Sequence, residues 1–104
     1  MRAVLQPHGL AFVSAWYSLN LPVHSADQEI ALIQPHLDRL KHNGCKVCIA
    51  CETSNSVQGL DVPLTERVVL DAAQMEAFGA RVEAIAEYCA DQGVELVYHH
   101  HMGT

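Results

Sequence analysis

Two capping boxes constrain this chain more than any other feature. Ser25 stands three residues before Gln28, and Asp71 three residues before Gln74. In such a pair the first side chain accepts from the helix backbone and the glutamine reaches back to the cap, so each marks a helix start. An apolar stripe follows each box at steps of three and four: Ile30, Ile33, Leu37 and Leu40, then Met75, Phe78, Val82, Ile85 and Cys89. The spacing predicts two amphipathic helices. Gly44 and Gly93 suit the left-handed positions that end them. Short runs of β-forming residues flank both: Leu10 to Tyr17, Cys45 to Cys51, and Val94 to Tyr98. Arg2 to Gln6 reads as the end of a further helix, stopped before Pro7.

Alternation of this kind implies an α/β architecture with parallel strands and right-handed crossovers. Three parallel strands are an uncomfortable endpoint, because both faces need cover and both edges invite pairing. The expected fold is therefore a βαβαβ piece of a TIM (β/α)8 barrel, an incomplete barrel with three strands and two to three helices. Residues 1–104 form one partial barrel domain, roughly two-fifths of a fold that needs about 250 residues. Self-association through the unpaired strand edges is an expected consequence.

Within the elements, Pro35 falls inside the first stripe. An interior proline costs about 3 kcal/mol, which predicts a bend near Gln34 or a split into two helices. Ser18 to His24 reads as a loop. Thr53 to Leu70 carries no helical stripe and contains Gly59 and Pro63. A connection this long is usually functional, as a lid is. On strict alternation Glu52 shares a face with Lys46, Cys48 and Ala50, the smaller or more polar set. Val47, Ile49 and Cys51 would face the covering helices.

The formal net charge of −6 and the lack of a basic run argue against nucleic acid as a partner. No apolar stretch reaches membrane-spanning length, so the expected location is cytoplasmic, without membrane contact. Cys45, Cys48 and Cys51 form two overlapping C-x-x-C spacings, a pattern that can hold zinc or an iron–sulfur cluster. In a strand, however, Cys48 faces away from the other two, so buried thiols acting as small hydrophobes are the favoured reading.

The run His99-His100-His101 holds three of the seven histidines and follows the last strand. Alternation turns His99 and His101 to one side and His100 to the other. Two imidazoles at the carboxyl end of a strand stand where α/β proteins place ligands. A tag, a surface cluster and a stray metal-binding tract are the plainer alternatives. Glu52 ends the second strand as either a proton-transfer group or metal ligand, or a solvated loop acid. Trp16, the only indole, either walls a polar-substrate pocket or packs.

Three segments carry a resemblance: Gly9 to Ser18, Gln34 to Leu37, and Tyr98 to Thr104. They closely resemble the corresponding parts of the myo-inosose-2 dehydratases of inositol catabolism, members of the xylose-isomerase-like TIM-barrel superfamily. The similarity covers essentially the whole chain, and its Trp-Tyr-Ser and His-His-His-Met-Gly-Thr strand ends are unusual. It implies a lyase that removes water from 2-keto-myo-inositol (scyllo-inosose), a polyol ketone. It also implies a divalent metal, Co²⁺ or Mn²⁺, and glutathione. Many superfamily relatives have a metal-binding Glu at the position of His99 and a His at that of His101. The resemblance thus makes His99 and His101 candidate metal ligands.

Elimination next to a ketone needs a base for the α-proton, a cation or donor for the enolate oxygen, and an acid for the leaving hydroxide. Glu52, His99 and His101 are the candidate catalytic residues. Trp16, Tyr17 and His100 are the candidate substrate-binding residues. The alternatives are a sugar isomerase or epimerase of the same superfamily, a Cys/His metal-storage or redox module, and a non-catalytic truncated product. The 104-residue piece alone is expected to be inactive, since the superfamily draws further ligands from later strands.

Overall fold

The computed structural model describes residues 1–104, the side chain of Arg2 excepted. A short helix α1 (Arg2–Leu5) and a 3-10 turn (Gln6–His8) precede strand β1 (Ser14–Leu19). Helix α2 (Ala26–His42), strand β2 (Val47–Glu52), helix α3 (Ala72–Asp91) and strand β3 (Glu95–Tyr98) follow in that order. A 3-10 turn (Leu64–Glu66) interrupts the β2–α3 connection. The sheet order is β1-β2-β3 with both pairings parallel. This is the open α/β arrangement expected of a βαβαβ piece of a barrel.

Both capping boxes form. The Ser25 side chain accepts from the Gln28 amide and the Gln28 side chain accepts from the Ser25 amide. Asp71 and Gln74 repeat the exchange. Gly44 and Gly93 take positive φ angles of 77° where the helices end. Each exchange satisfies amide donors that the first helical turn leaves without partners.

Helix α2 runs unbroken through Pro35, so the expected split into two helices does not occur. Ile33, His36, Leu37 and Leu40 are buried beneath it. Pro35 and Ala31 lie on the exposed side, so the carbonyl that proline deprives of a partner meets water. Burying a large apolar side chain contributes about 1.5–3 kcal/mol, so three of them outweigh the proline.

Strand β1 is displaced from its expected span. It starts at Ser14 and extends through Ser18 and Leu19, which were expected in the following loop. Its partner decides the limits: Ser14 pairs with Val47 and Leu19 with Glu52, the first and last residues of β2. Residues before Ser14 have no strand to pair with. The second strand likewise begins at Val47, two residues after Cys45.

The faces of the sheet are the reverse of those expected. Cys48 and Ala50 join Leu19, Ile33, Leu37, Leu40, Ile85 and Cys89 in the core, so their face carries the helices. Val47 and Ile49 are half-buried on the uncovered face, with Trp16 41% exposed beside them. Small residues lie under the helices because α2 and α3 supply the bulk there. The larger β-branched set is left to the open face.

All four cysteines are free and buried. Burial pushes the Cys48 thiol up to about 12 and the Cys89 thiol up to about 11. A thiol held protonated is a poor nucleophile and metal ligand, and it packs as a hydrophobe. No helix among the described residues is long and apolar enough to cross a membrane.

Candidate functional site at the carboxyl edge of the sheet

Strand β3 ends at Tyr98, but its ladder continues one residue further, where the His99 amide donates to the Ala50 carbonyl at 2.8 Å. This bond fixes the first imidazole on the uncovered face. His99 and His101 rings lie with centroids 4.7 Å apart, edge to face. The Trp16 ring meets both, at 5.6 Å from His99 and 5.3 Å from His101. Trp16 gets there from β1 because Trp16, Ile49 and Val97 are in register across the sheet. Three edge-to-face aromatic contacts of this kind hold a ring cluster by about 0.5–1.5 kcal/mol each. The Trp16 indole nitrogen donates to Ser18 Oγ at 3.1 Å, which sets the ring's orientation.

A turn closes the chain beyond His101. Thr104 Oγ1 donates to the His101 carbonyl at 2.8 Å and accepts from the His101 amide at 3.2 Å. The imidazole of His101 is thereby held by its own backbone. His100 points elsewhere and borders a cavity beside His101 and the β2–α3 loop.

Glu52 is not brought to the histidines. Its carboxylate accepts from the Leu21 amide at 2.8 Å and from the Ser54 amide and hydroxyl at 2.7 and 2.5 Å. Its own amide donates to Tyr98 Oη at 3.3 Å. Glu52 and Tyr98 line a cavity of about 240 Å³ against α3 and the loop before it, with Phe78 and Leu70 as walls. The carboxylate ties the loop after β1 to the loop after β2, on the helix-covered face. Tyr17 also parts from Trp16. It packs on the His36 ring of α2 at 5.4 Å, and burial, with the Glu29 charge nearby, pushes its phenol up to about 12.

Sequence reasoning missed a buried polar group near Tyr17. Glu29 is 1% exposed and its Oε1 lies 2.6 Å from His24 Nδ1. Its other oxygen and His36 Nε2 are buried without a partner among the described residues. Burial also lowers the His36 pKa. Only the interval of five from His24 to Glu29 could have signalled the pair. Arg81 donates to the Leu21 carbonyl, so the loop after β1 is held from α2, β2 and α3 together.

This segment does not by itself assemble a complete divalent-metal site. No group of three or more His, Cys, Asp or Glu side chains suited to an ion is present among the described residues. Catalytic metal sites take three protein ligands, and His99 and His101 offer two. The two rings can also donate and accept hydrogen bonds, since each neutral imidazole carries one donor and one acceptor.

Parallel strands joined by helices bring Glu52, His99 and His101 to the carboxyl edge of one α/β sheet. The chain has curated relatives. The chain is 34% identical over 105 residues to the rhizopine catabolism protein MocC of Rhizobium meliloti, covering all of this chain and 32% of that protein. It is 30% identical over 106 residues to an inosose dehydratase of Geobacillus thermodenitrificans and 31% identical to inosose dehydratase 2 of Bacillus cereus. Those matches cover all of this chain and 36% of each relative. The chain thus spans about a third of the length of the curated relatives it matches. No family model matches it.

Proposed function

We propose that residues 1–104 supply part of the substrate rim of a dehydratase that removes water from inosose in inositol catabolism. The observation that carries this reading is the Trp16–His99–His101 cluster on the uncovered face. The names of the relatives, inosose dehydratase among them, give its chemical direction. The activity belongs to a polypeptide with the relatives' full length, of which this chain is one segment.

Water elimination beside a ketone removes an α-proton and expels hydroxide from the neighbouring carbon. Two imidazoles 4.7 Å apart can divide this labour. A neutral ring takes the proton, and a protonated ring donates to the ketone oxygen or to the departing hydroxyl. The indole of Trp16 offers an apolar wall against the C–H face of the ring. Glu52 holds the two loops beside the rim and does not itself reach the histidines.

A chimera tests the reading. Residues 1–104 replace the matching segment of the Geobacillus inosose dehydratase, and dehydration of inosose is followed. The chimera should turn over, and His99→Ala with His101→Ala together should lower kcat/KM by about a hundredfold or more. Undiminished turnover by the double variant refutes the assignment.

A further inference from the structure

The β2–α3 connection, residues 53–70, closes over the histidine segment. The Val57 amide donates to the Gly103 carbonyl at 2.9 Å. Gly103 is buried at φ +87°, and a Cβ there would come within 3.1 Å of Val57 Cγ2 and 3.2 Å of Leu64 Cδ2. Both backbone and space therefore demand glycine at the point where the loop seats. Between loop and tail lies a cavity of about 330 Å³, walled by Val57, Leu60 and Leu64 and edged by Gln58, His100 and His101. That volume falls within the range of small-ligand sites.

We propose that this cavity seats the ring of a cyclic polyol, with the loop as its cover and Gln58 and His100 selecting the hydroxyl pattern. The inference rests on the dehydratase reading and adds where the ring sits. A ring with mostly equatorial hydroxyls has two apolar C–H faces and a polar belt. The cavity offers the matching surfaces: an aliphatic wall, and an edge of one amide and two imidazoles, each able to donate and accept. His101 belongs to both this edge and the indole cluster, so a seated ring lies against one member of the imidazole pair. No Lys or Arg among the described residues borders the cavity, which disfavours a phosphate ester.

NMR titration of the 104-residue chain tests the seat, with scyllo-inosose and myo-inositol as probes and inorganic phosphate as the control. Both polyols should shift the Val57 and Leu64 methyls and the His100 and His101 ring protons saturably, and phosphate should not. Gly103→Val should weaken polyol binding about tenfold or more by unseating the loop, and Gln58→Ala and His100→Ala should do so without that strain. Gly79→Ala, in open space on α3, should leave binding unchanged. Saturable shifts confined to Trp16 and His99, with Val57 and Leu64 unmoved, would overturn the seat and leave the dehydratase reading intact. Absence of any saturable shift would also overturn the seat, and the chimera's turnover then decides the reading separately.

Discussion

Glu52 shows how a residue's role turns on which side of a strand it occupies. Its carboxylate accepts two backbone amides from different loops and one hydroxyl. Removing an acceptor leaves such donors unsatisfied, at about 1–3 kcal/mol each when they are buried. Glu52→Ala should therefore lower the urea midpoint by an amount worth ~2 kcal/mol, with the slope unchanged. The buried thiols make a second prediction. Cys48 and Cys89 ionise at about 12 and about 11 in the fold, against a reference value of 9.0. An acid whose folded pKa is raised stabilises the fold fully below its unfolded pKa and loses that contribution as pH rises through the folded value. Stability should fall between pH 9 and pH 12, and Cys89→Ala should flatten the fall in urea titrations across that range. The residue types at the rim were legible in the sequence. Which of them meet was not, because pairing limits set by β2 decide which face each side chain takes.

At the scale of elements, the capping boxes and stripes foretold α2 and α3 because helix formation is local. Both start at their caps and end before their glycines. Met75, the first member of the second stripe, is 54% exposed and borders the cavity between α3 and the loop before it. The strand limits were less legible, because a strand exists only where a neighbour pairs with it. Pro35 gives a test at this scale. It sits on the exposed side of a continuous helix, so Pro35→Ala restores one backbone hydrogen bond and removes a ring clash. The variant should gain ~1–3 kcal/mol by urea denaturation, less the entropy that proline removes from the unfolded chain. A loss of stability would show that the ring makes contacts the helix needs.

The whole molecule is a one-sided layer: two helices cover one face of a three-stranded parallel sheet. The other face keeps Trp16, Ile49 and Val97 in register below two imidazoles. Parallel strands are normally covered on both sides, so the exposed indole and half-buried valine and isoleucine are the mark of this asymmetry. Strand direction was legible from the order of elements, and it put every strand's carboxyl end at one edge. The sidedness was not, because Cys48 and Ala50 look no more core-like in sequence than Val47 and Ile49. The central claim is that Trp16 meets His99 and His101 on the uncovered face, apart from Glu52. Trp16 is the sole tryptophan, so the fluorescence comes from this cluster. Removing the two rings that meet the indole exposes it to water on that side. Its emission should shift in His99→Ala/His101→Ala and stay as it is in Glu52→Gln. Emission unmoved by loss of both histidines, or shifted equally by Glu52→Gln, would contradict the account.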